Sequence, residues 1–353
     1  MLSKINALRK ILENKNLDGI LIYKPENRRY FSGFTGTTGF IIVTKHEAKF
    51  ITDFRYVSQA KEECKGYDII EIGRSEPLTN IINELNIENM GVEDEFFTYR
   101  HFLELNSNLP NLSIIALEGE LTKIRSIKSE EELNYIAKAA SLADEAFKYI
   151  VDFIKPGACE KDIALELEVY MRKKGATGTS FNFIVASGLR SALPHGVASD
   201  KLIEDGEFVT LDYGCIYEGY CSDMTRTVIV GKANEKQKEI YSIVLKAQET
   251  ALKAVRPGIT GKELDEIARD IITNEGYGEY FGHGLGHGVG LEIHELPHIN
   301  TKGDEPLKPG MVITIEPGIY IPNFGGVRIE DLVVVKENGY HVLSNTSKEL
   351  MEI

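Results

Sequence analysis

The sequence is short of basic charge: 40 lysines and arginines stand against 54 aspartates and glutamates, a formal net charge of −14 over 353 residues. Nucleic acid and anionic lipid are bound mainly by Lys and Arg neutralising phosphates, so neither is an expected partner. Long apolar runs are missing too. No segment approaches the roughly 20 apolar residues needed to span a bilayer. The opening stretch places Leu2, Ile5, Leu8, Ile11 and Leu12 at helical spacing between charges, unlike the continuous apolar core of a secretory signal. A cytoplasmic protein with an amphipathic first helix is expected. Cysteine is scarce, and Cys64, Cys159, Cys215 and Cys221 show no tight paired spacing. Reduced thiols, and neither a zinc knuckle nor a disulfide framework, follow from that spacing.

What is present is an ordinary globular composition, 42% hydrophobic and 27% charged, in a chain long enough for two cores. Short apolar runs at Gly19–Tyr23, Phe40–Val43, Lys49–Thr52 and Ile69–Ile72 read as strands and Leu78–Leu85 as a helix, an α/β pattern. The pattern lapses from Glu118 to Lys128, after which Ser129 and Glu132 form a capping box opening a helix with Leu133, Ile136, Ala140, Phe147 and Ile150 on one face. The expected domains are 1–122 and 123–353.

The second domain repeats itself. Ile154-Lys-Pro-Gly-Ala-Cys-Glu-Lys-Asp-Ile163 resembles Val255-Arg-Pro-Gly-Ile-Thr-Gly-Lys-Glu-Leu264, and Gly206-Glu-Phe-Val-Thr-Leu-Asp-Tyr-Gly214 resembles Gly310-Met-Val-Ile-Thr-Ile-Glu-Pro-Gly318. The duplication aligns Asp212 with Glu316 at two apolar strand ends. A buried acid needs a partner, either a metal or a salt bridge, and the repeat alone does not choose between them.

Neighbouring segments add donors. Asp212 and Asp223 bracket a glycine-containing turn that a hairpin could fold so that both face one point. Val327–Val335 reads as a strand with Glu330 near its beginning, and the period of two sends Asp331 to the other face, as a surface acid or a partner behind the site. Of the eight histidines, His283, His287, His294 and His298 lie between the two acidic strand ends and His195 lies shortly before the first of them. Tyr280-Phe-Gly-His-Gly-Leu-Gly-His-Gly-Val-Gly290 is too glycine-rich for a good helix and suits close backbone approach; Val289 breaks the dinucleotide register. His294-Glu-Leu-Pro-His298 fits the H-E-x-x-H zinc pattern, but Pro297 would break the helix that pattern needs, at a cost of about 3 kcal/mol, so both histidines are expected in a loop. Four carboxylates with an imidazole make an oxygen-rich donor set suited to manganese or cobalt and unlike a thiolate zinc site.

Together these motifs resemble the Xaa-Pro peptidases of the prolidase and aminopeptidase P group. Leu193-Pro-His-Gly196, Leu211-Asp-Tyr-Gly214, Ser222-Asp-Met-Thr-Arg-Thr227, Gly282-His-Gly-Leu-Gly-His-Gly288, Ile315-Glu-Pro-Gly-Ile-Tyr320 and Gly326-Val-Arg-Ile-Glu-Asp331 occur in family order, and Asn27-Arg-Arg-Tyr-Phe-Ser-Gly-Phe-Thr-Gly36 resembles the family's amino-terminal domain. The resemblance implies a small creatinase-like α/β domain followed by a pita-bread catalytic domain with a pseudo-twofold duplication, and a homodimer.

It further implies two divalent ions per chain, manganese first with cobalt or zinc as alternatives, held by Asp212, Asp223, His287, Glu316 and Glu330. A bridging hydroxide would attack the bond between an N-terminal residue and a following proline. Glu316 would shuttle the proton, His195 and His294 would stabilise the intermediate, His283 would line the substrate pocket, and Arg328 would hold ligand carboxylates from behind. At position 298 archaeal prolidases would carry an arginine for the carboxylate of a dipeptide; His298 binds a carboxylate less firmly, so peptides longer than two residues are equally compatible. A metal-free creatine amidinohydrolase and a noncatalytic peptide-binding module on the same scaffold are the alternatives, and the complete ligand set disfavours both.

Overall fold

The computed structural model describes residues 2–73 and 78–353, which divide between Arg125 and Ser126 into two compact units.

In the first unit the helices α1 (Leu2–Lys15), α2 (Pro25–Ser32), α3 (Val57–Glu63), α4 (Leu78–Glu84), α5 (Tyr99–Asn108) and α6 (Glu120–Ser126) accompany a mixed sheet. Its strands are β1 (Gly19–Ile22), β2 (Phe40–Thr44), β3 (Ala48–Thr52), β4 (Asp68–Glu71), β5 (Asn89–Val92) and β6 (Ser113–Ala116), in the order β4-β3-β2-β1-β5-β6. The four apolar runs read as strands are strands, and α4 covers the expected helix. The apolar stripe of α1, Ile5, Leu8, Ile11 and Leu12, is buried as its helical spacing requires. No described helix is long and apolar enough to cross a membrane.

The second unit is built twice over. Helices α7 (Glu130–Ile150) and α8 (Glu160–Lys173) precede the strands β7 (Gly178–Thr179), β8 (Ile184–Ser187), β9 (Phe208–Tyr213), β10 (Cys215–Tyr217), β11 (Tyr220–Cys221) and β12 (Met224–Ile229). Helices α9 (Glu235–Ala254) and α10 (Gly261–Asn274) then precede β13 (Gly286–Gly288), β14 (Glu295–Ile299), β15 (Val312–Ile315), β16 (Gly318–Ile321), β17 (Gly325–Arg328), β18 (Asp331–Lys336) and β19 (Gly339–Val342). Strands β12-β9-β8 form one sheet and β14-β13-β15-β18-β19 another. Each half packs its helices on its own apolar core, Ile163, Leu167, Val209 and Leu211 in one and Leu264, Ala268, Ile313 and Ile315 in the other. The capping box of Ser129 and Glu132 opens α7 as expected.

The internal repeat is also conformational. Gly206, before β9, has φ 82°, and Gly310, before β15, has φ 87°, so both acidic strands are launched from the same left-handed turn. One expected strand is interrupted: Val327–Val335 divides into β17 and β18 at Ile329–Glu330. The reason is local hydrogen bonding, since the Glu330 N–H donates to the Thr225 carbonyl at 3.1 Å, outside its own ladder.

Candidate metal centre

Strand pairing brings the acids together. In the antiparallel β9–β12 pair Asp212 lies opposite Thr225, and Asp223 immediately precedes β12. Thr225 Oγ1 donates to Glu330 Oε2 at 2.7 Å, and its backbone carbonyl accepts from Glu330. One threonine therefore docks the break between β17 and β18 against the first half of the repeat. From the second half come His287, in the middle of β13, and Glu316, just past β15. Gly286 permits this approach, because a β-carbon there would overlap the Thr314 carbonyl. The Thr314 hydroxyl accepts from the His287 N–H at 3.0 Å and donates to Glu316 Oε1 at 3.0 Å, fixing backbone and carboxylate together.

One ligand atom from each of Asp223, His287 and Glu330 lies within 4.8 Å of the others, a separation a single cation could close. His287 Nδ1 faces the Gly288 carbonyl at 3.1 Å, which aims Nε2 at Glu316 Oε1 (3.3 Å) and Asp223 Oδ2 (3.6 Å). Asp212 is held from behind by Arg328, whose Nη2 donates to Oδ2 at 2.6 Å. The remaining oxygens, Asp212 Oδ1, Asp223 Oδ1 and Glu330 Oε1, are buried with no hydrogen-bond partner. Unpartnered buried carboxylate oxygens are costly unless a cation satisfies them. The donor set of carboxylates and imidazole therefore fits a hard-to-borderline divalent ion.

The electrostatics agree. Burial and then the carboxylates of Glu330, Asp212 and Glu316 push Asp223 well above the usual carboxylate range, and burial with Glu316 and Asp212 does the same to Glu330. Burial also raises Asp212, against the opposing pull of Arg328. Glu316 behaves oppositely: burial disfavours its ionised form, but the His287 hydrogen bond and neighbouring positive charge outweigh this and bring it down to about 2. His287 is correspondingly raised by Glu316 despite its burial. Without a cation the centre thus keeps a His287–Glu316 ion pair beside carboxylates that resist ionising together.

A cavity of about 480 Å³ opens onto these groups, and His195, His283, His294, His298 and Arg328 also line it. His294 stacks edge-on against His287 with ring centroids 4.2 Å apart. His298 is not in a loop as expected: it sits in β14 directly opposite His287 in β13. The segment from His294 to His298 is a bend running into that strand, so no helix face is shared and no H-E-x-x-H site forms. Asp331 is no surface acid either; its side chain is 1% exposed and bonded to Arg226, Gln248 and Lys348.

Two residues that sequence reasoning did not single out complete the scaffold, Thr225 and Tyr320. Arg328 Nη1 donates to the Tyr320 hydroxyl at 2.7 Å; the Gly284 carbonyl beside His283 Nδ1 can only accept, so in the neutral ring Nε2 accepts from the Tyr320 hydroxyl at 2.9 Å. His283 Nδ1 then carries the hydrogen donated to the Gly284 carbonyl at 2.8 Å. Both ring nitrogens are engaged, and burial lowers the His283 pKa. His283 presents a neutral ring face to the cavity. The loop bearing it is clamped by Arg269, which pairs with Asp265 and donates to the carbonyls of Phe281 and His283.

Comparison with known proteins decides the family. Residues 134–337 match the profile of metallopeptidase family M24, and residues 4–127 match the Creatinase/Prolidase N-terminal domain. The chain belongs to metallopeptidase family M24. Its two units are the creatinase-like α/β domain and the pita-bread domain of that family. It is 45% identical to the Xaa-Pro dipeptidase of Pyrococcus furiosus over 99% of this chain and 100% of that protein. Among solved structures it resembles an Xaa-Pro dipeptidase from Bacillus anthracis, with TM-score 0.97, 47% identity and coverage of 100% and 99% of the two chains. It also resembles the X-Pro aminopeptidase from Thermotoga maritima MSB8, with TM-score 0.89, 41% identity and coverage of 98% and 100%.

Proposed function

We propose that this M24 chain is a two-metal peptidase that cleaves the bond between an N-terminal residue and a following proline. The observation that carries the reading is the set of buried carboxylate oxygens of Asp212, Asp223 and Glu330 that lack partners beside His287 and Glu316. The relatives that carry Xaa-Pro names cover the whole chain, which supports the choice of proline. In this reading Asp212, Asp223 and Glu330 hold one divalent ion, and His287 and Glu316, with Asp223 and Glu330 shared, hold the second.

Manganese suits the oxygen-rich set, with cobalt or zinc as alternatives. When bound, the ions would supply a water acidic enough to attack near neutral pH and would polarise the scissile carbonyl. Glu316 would accept the proton of that water and return it to the leaving proline nitrogen. His195 and His294, both exposed to the cavity, donate to the oxygen that gains charge. Arg328 holds Asp212 in its ligating rotamer, His283 contributes an apolar wall, and His298 meets the substrate beyond the scissile bond. A cytoplasmic homodimer acting on proline-containing peptides, without nucleic acid or membrane partners, completes the proposal.

Two measurements test it. Metal analysis after reconstitution should find about two ions per chain, and fewer than one would remove the basis of the reading. Light scattering should give twice the chain mass of 39.5 kDa, whereas a monomer would refute the dimer.

A further inference from the structure

One buried ion pair takes no part in the chemistry just described. Lys128 Nζ donates to Glu295 Oε1 at 2.7 Å, and both side chains are 1% exposed. Removing two charges from water offsets much of their attraction, and an apolar pair of similar volume often stabilises a fold equally well. The physical effect of such a pair is therefore to select one geometry.

The geometry concerned is that of His294. Glu295 opens β14 directly after His294. In the β13–β14 ladder His287 lies opposite His298, but the next residue, Gly288, lies opposite Glu295, so the register skips Leu296 and Pro297. This bulge turns the chain so that the His294 ring packs on His287 with centroids 4.2 Å apart, where it lines the cavity. A bulge of this kind re-aims a side chain.

Glu295 itself is held firmly. Its carboxylate lies against the α-carbon of Gly290, where any β-carbon would collide with it. The cation at its other end is fixed in turn: Lys128 Nζ also donates to the Ser126 carbonyl at 3.2 Å, and the Lys128 backbone N–H donates to the Gly310 carbonyl at 2.9 Å. Gly310 is the turn that launches β15 toward Glu316. The pair thus ties the His294 segment to the same base that carries Glu316.

We infer that Lys128–Glu295 is a positioning pair: it holds the bulge at the start of β14 so that His294 stays over His287 and faces the substrate. Its activity readout rests on the role proposed above for His294, whereas its geometric readout does not. The test is a double-mutant cycle with E295D, which keeps the charge and shortens the reach, in wild-type and H294A backgrounds. E295D should lower kcat about tenfold in the wild type, a loss of about 1.4 kcal/mol of transition-state stabilisation, and less than about twofold when His294 is already absent. The Cε1–H resonance of His294 should also move and broaden as the ring leaves His287.

A loss of kcat equal in both backgrounds, or an unmoved His294 resonance, would overturn the inference and leave a merely structural pair. Should E295D fail to fold, K128M/E295M replaces both charges with apolar side chains and is read by the same cycle. If the wild type hydrolyses no Xaa-Pro peptide, the proposed function fails, while the His294 resonance alone still decides the positioning claim.

Discussion

Asp223→Asn should stabilise the metal-free protein and destabilise the metal-loaded one. Asp223 and Glu330 offer ligand atoms within 4.8 Å of each other, and two unit charges at that separation repel by about 3.5 kcal/mol at an effective dielectric of ~20. Proton uptake relieves part of this, since both groups are held well above the usual carboxylate range, so the realised gain is about 1–3 kcal/mol at pH 8. For a domain of about 150–250 residues that raises Tm by roughly 3–10 °C.

The sign with pH follows from linkage. A carboxylate whose folded pKa is raised binds a proton in the native state that the unfolded chain has released. Stability is therefore lost as pH rises from the ordinary carboxylate value through the raised one. Chelator-stripped wild type should melt progressively lower from pH 5 to pH 8, and the advantage of D223N should grow over the same interval and be small near pH 5. Scanning calorimetry with and without manganese reads both effects. A metal-free D223N protein no more stable than wild type at pH 8, or equally advantaged at both pH values, would refute the account of crowded carboxylates.

Further expectations follow from single contacts. Glu316→Gln keeps the shape but cannot take a proton, so kcat should fall by about 10² or more with little change in far-ultraviolet circular dichroism; wild-type turnover would remove Glu316 from the proton path. Arg328→Met leaves Asp212 without the cation that orients it, and metal affinity measured by titration should weaken about 10–100-fold. His298→Arg should raise kcat/KM for Ala-Pro relative to Ala-Pro-Ala, because a guanidinium fork binds a terminal carboxylate that histidine holds poorly; an unchanged ratio would mean that position 298 does not face that carboxylate.

The parts legible in the sequence were those written as local pattern. Short apolar runs marked β1 to β4, and the repeat aligned Asp212 with Glu316, each on a strand that leaves a left-handed glycine, Gly206 and Gly310. What was not legible depends on contacts distant in sequence. Thr225 and Tyr320 look like ordinary strand residues until the fold sets Thr225 against Glu330 and Tyr320 between Arg328 and His283. His298 was expected in a loop because Pro297 rules out a helix; proline equally permits a bulged edge strand, and β14 pairs on one side only. The strand through Glu330 was expected to be continuous, but the Thr225 carbonyl captures the Glu330 N–H and breaks it. Asp331 turned inward because Arg226, Gln248 and Lys348 converge on it, a convergence no spacing rule encodes.

The central claim is tested most directly by hydrolysis of Ala-Pro and Ala-Pro-Ala with chelator-stripped protein before and after addition of manganese. The account requires no cleavage when stripped and restored cleavage of at least one of the two peptides when refilled, with Ala-Ala left intact. Cleavage that survives chelation, or none of either proline peptide in the refilled protein, would contradict it.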